Sequence, residues 1–131
     1  MARLLKTTKQ IGDHAELVAR YYLENQGLVF ISANFRSRMG EIDLIMKDIA
    51  QESLVFVEVR YRKNATFGGA AVTVNRQKQQ RLIKTALFYL QKHAPNACAR
   101  FDVVAIEGRL PAIIEDIDHS QINWIPNAFQ T

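Results

Sequence analysis

The chain has 131 residues, 48% hydrophobic and 23% charged, which suits one folded domain over residues 1–131 and excludes a disordered chain. Its one cysteine, Cys98, excludes a disulfide framework and a Cys-rich zinc site, and no run approaches the ~18 apolar residues of a membrane span, so no membrane partner and a cytoplasmic address are expected. The net charge of +4 is uneven: nine Lys/Arg and no acid lie between Val59 and Phe101, which points to a polyanion partner.

Ile11, Ala15, Val18, Ala19, Tyr22 and Leu23 recur at helical spacing, which predicts an amphipathic helix from about 9 to 26 that stops at Gly27. A strand follows over Leu28–Phe35, then a turn over Arg36–Gly40. Glu41–Met46 alternates as a second strand, with Glu41 and Asp43 on one side and Ile42 and Leu44 on the other. Leu54–Tyr61 is rich in β-branched and aromatic residues, as in a central strand buried on both faces. The stretch from Arg62 to Thr73, with Gly68-Gly69, has no period and is expected to be a mobile loop. A second helix is predicted from Asn75, its cap, to His93, with Leu82, Ile83, Ala86, Leu87 and Leu90 as its apolar stripe. Phe101–Ile106 reads as a strand, Ala112–Ile117 as a shorter one, and Trp124–Phe129 as an irregular segment laid on the body. Short connections favour antiparallel pairing of the first three strands, and the second helix permits a right-handed crossover to a parallel one. The expected fold class is therefore α/β: a mixed β-sheet flanked by helices, in the order α-β-β-β-α-β plus a short C-terminal strand.

Glu58 is the unusual residue, an acid inside Val55-Phe-Val-Glu-Val59, where an uncompensated buried carboxylate would cost roughly several kcal/mol. If the second and third strands pair through a short turn, Asp43 and Glu58 approach on one face, and two such carboxylates call for a shared proton or a cation. A hard cation takes oxygen ligands of this kind. It polarises a phosphodiester and lowers the pKa of a bound water. Arg60 points to the same side as Glu58 and can hold a phosphate. Cross-strand salt bridging of Glu58 and Arg60 is the competing reading. His14, His93, His119 and Cys98 make no metal-ligand spacing, Cys98 is expected to be a small hydrophobe near a strand start, and Asp102 is expected to take a structural role, at a sheet edge or in a salt bridge.

Gly40-Glu-Ile-Asp-Leu-Ile45 followed by Phe56-Val-Glu-Val-Arg-Tyr-Arg62 resembles the signature of the YraN family of bacterial proteins. Gly12-x-x-Ala-Glu16, Asn34-x-Arg36, the helix from Lys78 to Leu90, Arg100-Phe-Asp-Val-Val104 and Asn127-Ala-Phe129 extend the match over about residues 11–129. That family is similar to the restriction-endonuclease-like, PD-(D/E)xK nucleases, and within them to archaeal Holliday-junction resolvases. The resemblance implies a restriction-endonuclease-like sheet, Asp43 and Glu58 as ligands of Mg²⁺ or Mn²⁺, and Glu16 as the additional acid of resolvase-like members. It also raises a homodimer, since related resolvases act in pairs on two-fold junctions. The motif's third position is usually lysine and is Arg60 here; arginine stays protonated, so it can clamp a phosphate but cannot serve as a general base. Lys63 and Lys78 are candidate substitutes.

Arg36, Arg38, Arg62, Lys63, Arg76, Lys78 and Arg81 surround these acids and can contact about 4–6 phosphates. Tyr61 and Phe67 are candidate stacking residues. Two functional readings stand: a metal-dependent endonuclease acting on DNA, branched or damaged forms included, and a nucleic-acid-binding module with a nuclease-like fold and little or no catalysis. A scaffold whose basic face binds a protein is the third.

Overall fold

The computed structural model describes residues 7–64 and 74–130. Helix α1 (Thr8–Asn25) starts at a reciprocal cap: the Thr7 hydroxyl accepts from the Gln10 N–H at 3.0 Å, and the Gln10 side chain accepts from the Thr7 N–H at 3.1 Å. Two of the amides that a helix start leaves open are thus satisfied. Ala15, Val18, Ala19 and Leu23 form its buried stripe, and Gly27, at φ 99°, turns the chain out of it.

Five strands follow: β1 (Leu28–Ser37), β2 (Gly40–Asp48), β3 (Ser53–Arg62), β4 (Cys98–Glu107) and β5 (Ile122–Phe129). They lie side by side in chain order; β3 and β4 are parallel, joined across α2 (Arg76–His93), and the other neighbours are antiparallel. The mixed sheet and its two helices match the expected α/β order. Helix α1 packs on one face with Leu44, Met46, Val55, Val57, Val104 and Ile106. Helix α2 packs on the other with Ile42, Ile45, Phe56, Phe101 and Val103. Sheet residues buried on both faces explain the near-continuous apolar run of β3.

Some expectations are corrected. Trp124–Phe129 is not an irregular tail but most of β5; Pro126 obscures the strand pattern yet is tolerated because β5 is an edge strand. Ala112–Ile117 is no strand and contains instead a 3₁₀ turn at Ile114–Asp116. On α2, Leu87 is 54% exposed and Tyr89 takes the buried place, its ring edge-on to Phe35 and Phe56 at 5.1 and 5.8 Å. Ile42 and Leu44 do not share a face: the alternation of β2 breaks at Asp43, opposite Asn34, whose φ of 55° is left-handed. Cys98 opens β4 but is exposed. The mobile-loop expectation, with Phe67 and Gly68-Gly69, falls mainly on residues 65–73, outside the described residues.

Asp102 has the structural role expected of it. Fully buried in β4, it accepts from Arg100 Nε at 3.1 Å, Trp124 Nε1 at 3.0 Å and the Asn127 N–H at 2.9 Å. The last two contacts tie β5 to the sheet.

One feature of the register positions the site. The β2–β3 ladder runs from Asp48↔Ser53 to Leu44↔Val57; beyond it β2 stays with β1 down to Gly40, and β3 stays with β4 out to Arg62. The sheet forks there.

Candidate active site

The fork leaves strand amides to be satisfied by something other than a ladder. Asp43 does this for one: its Oδ2 accepts from the Val59 N–H at 2.8 Å. The contact draws the Asp43 carboxyl into the gap and against Glu58, to which it is hydrogen-bonded. Glu58 is only 5% exposed. A cavity of about 280 Å³ opens over the pair, walled by Ile11, Gly12, Ala15 and Glu16 of α1 and by Val59 and Tyr61 of β3. From the other side of the sheet, Lys78 of α2 places Nζ at 3.1 Å from Glu58 Oε1.

The electrostatics follow from burial and like charge. Burial raises the Asp43 pKa from its ordinary value to about 8, and the neighbouring Glu58 charge pushes the same way, against the Val59 amide. Glu16 is raised to about 7, by burial first and by the charge of Asp43 second, while a hydrogen bond from the Asn34 side chain opposes the rise. Three acids thus line one cavity, two of them held partly in their neutral forms. Among the described residues, no group of three His, Cys, Asp or Glu is gathered closely enough to hold a metal, so the tight unit is the Asp43–Glu58 pair, with Glu16 on the wall opposite. That pair suits a hard divalent cation: both donors are oxygens, and their charges need a proton or a cation between them.

The register brings the candidate basic residues to the fork end of the sheet. Arg36 is the penultimate residue of β1, 72% exposed and paired with Glu41 at 3.3 Å, and exposed Arg38 stands in the turn that follows. Arg62 and Lys63 are exposed at the end of β3, and Arg76 and Arg81 are exposed on the first turns of α2. Gly40 fixes this corner: a Cβ there would meet the Thr85 hydroxyl at 3.3 Å and Arg81 Cβ at 3.6 Å, so β2 starts in contact with α2. Arg60 is half-buried two residues beyond Glu58 in β3. Tyr61 packs on the α1-side core and donates its hydroxyl to the Gly108 carbonyl at 2.7 Å, as a rim aromatic does. Lys78, a candidate both for phosphate contact and as a substitute for the missing lysine, reaches Glu58.

Asn34 joins the site without having been a candidate site residue. Its signals were its place in the Asn34-x-Arg36 piece of the family resemblance and an Asn in the middle of a β-rich run, a residue type that tolerates the left-handed conformation found here.

The comparisons with known proteins agree on one family. The family model described as uncharacterised protein family UPF0102 matches residues 15–106. A UPF0102 protein of Methylobacillus flagellatus is 49% identical over 121 residues, covering 92% of this chain and 97% of that protein. One from Vibrio vulnificus is 48% identical over 127 residues, 95% of each chain. The UPF0102 protein YraN of Escherichia fergusonii is 45% identical over 126 residues, covering 94% of this chain and 86% of the relative.

Proposed function

This chain belongs to the UPF0102 family, and from that premise and the geometry of the fork we propose that it is a metal-dependent endonuclease that hydrolyses phosphodiester bonds in DNA, branched or damaged forms included. The observation that carries the reading is the Asp43–Glu58 pair, two oxygen-donor acids pressed together at the bottom of an open cavity. The cluster of arginines and lysines at the same end of the sheet supports a phosphate backbone as the partner. The likeness of the motif strands to the PD-(D/E)xK nucleases supports it too.

In this reading Asp43 and Glu58 hold Mg²⁺ or Mn²⁺, which when bound polarises the phosphate and acidifies a water. The Val59 amide keeps the Asp43 carboxylate aimed into the gap. Glu16, across the cavity, orients water and can take up a proton near neutral pH, given its raised pKa of about 7. Arg60 contacts the scissile phosphate as a fixed positive charge. Arg36, Arg38, Arg62, Lys63, Arg76 and Arg81 track the flanking backbone without reading bases.

The test incubates the purified chain with flap, junction, single-stranded and duplex DNA in Mg²⁺, Mn²⁺ or EDTA. Metal-dependent cutting that Asp43→Ala and Glu58→Ala abolish is the expected result. Salt-sensitive binding without cutting in every condition defeats the catalytic reading. It would leave the second one, a nucleic-acid-binding module, which the arginine at position 60 favours. Absence of binding would point to the protein scaffold.

A further inference from the structure

We propose that Lys78 is a built-in competitor of the metal: in the metal-free protein its ammonium occupies the place on Glu58 that a divalent cation takes, and metal binding must displace it. The proposal rests on the metal-site reading above and adds the state of that site before loading.

Glu58, a carboxylate 5% exposed, needs compensation: Val57 and Val59 flank it, Val103 faces it in β4, and a second acid, Asp43, lies beside it. The cation set against it comes from the other layer of the fold. Lys78 Nζ lies 3.1 Å from Glu58 Oε1. Its backbone is anchored, since the Lys78 N–H donates to the Asn75 side chain at 2.8 Å and Leu82 and Ile83, one turn on, are buried in the α2-side core. The side chain is not anchored. It is 42% exposed, on a flexible four-carbon stem that can swing its charge into solvent without moving the helix.

A lysine that completed the metal site would share Glu58 with the ion. One that stands in for the ion excludes it by charge repulsion at the same oxygen, and its stem gives it somewhere to go. The partial exposure of Lys78 favours the second arrangement. The displaced ammonium is then free for a phosphate oxygen at the fork, so metal loading and phosphate binding assist each other.

The experiment titrates Mn²⁺ alone, by calorimetry at low ionic strength, into the full chain, Lys78→Met, Lys78→Arg and Lys84→Met; Lys84 is an exposed lysine elsewhere on α2. Lys78→Met is expected to bind Mn²⁺ about fivefold tighter than the unmodified chain, Lys78→Arg no tighter, and Lys84→Met within about twofold. Binding by Lys78→Met alone supports the proposal equally. Unchanged or weaker binding by Lys78→Met, with the unmodified chain still binding, overturns it and leaves the metal site standing. Absence of binding by every form removes the metal site and the proposal together. Lys78→Gln serves in place of Lys78→Met should the latter lose its helical circular dichroism.

Discussion

Replacing Asp43 with Asn tests whether the acid pair is strained by its own charge. Asn is nearly isosteric; its carbonyl oxygen can still accept from the Val59 N–H, and its amide can donate to Glu58. Only the ionisation is removed. In the folded chain Asp43 titrates at about 8 instead of the ordinary 3.8, so between those values the folded state binds more protons than the unfolded chain. Stability therefore falls as pH rises through that window, and the whole penalty is present above it. About four pH units correspond to roughly 5 kcal/mol as an upper limit, because the charge is coupled to that of a neighbouring acid. From pH 5.5 to 8.5, without divalent metal, the advantage of Asp43→Asn over the unmodified chain should grow by about 2 kcal/mol. At this chain length that is roughly 6–8 °C in Tm, measurable by thermal denaturation in matched buffers. An advantage that stays constant or shrinks with pH would refute the account of the pair.

Other outcomes follow from the same geometry. At pH 8, Mn²⁺ at about a hundredfold above its dissociation constant should stabilise the unmodified chain by about 2.7 kcal/mol, with the gain reversed by EDTA and lost in Asp43→Asn. Changing Arg36, Arg38 and Arg81 together to Ala should weaken DNA binding and flatten the dependence of log affinity on log salt by about 2–3, read by anisotropy titrations between 50 and 200 mM salt. Asp102→Leu should cost about 3 kcal/mol or more, because Arg100, Trp124 Nε1 and the Asn127 N–H lose a common acceptor. Faster amide exchange in β5 and a shifted Trp124 emission would report the loosened edge.

Sequence alone determined both helices and the first four strands, and it pointed to the candidate acids, because those signals are local. Helical spacing in Ala15–Leu23 and an acid inside the β-branched run at Glu58 are short-range patterns that backbone periodicity imposes on a buried face, whereas the expected alternation of β2 fails at Asp43. The chain order of antiparallel strands and a parallel crossover followed from connection lengths. The phase of α2 was less legible: Leu87 and Tyr89 both fit an apolar stripe, and aromatic contacts with Phe35 and Phe56 decided between them. Strand β5 was hidden by Pro126, and only its position at the sheet edge makes that residue acceptable.

The site itself needed tertiary structure. No local pattern states that the β2–β3 ladder ends at Leu44↔Val57, that Asp43 then serves a β3 amide, or that Asn34 reaches Glu16. Lys78 lies twenty positions after Glu58, on a helix that crosses to the far face before its ammonium returns to that carboxylate. Composition announced a basic stretch beginning just past Glu58. The fold decided that one of its charges is set against Glu58, because a buried carboxylate draws a cation that packing delivers, whatever its distance along the chain.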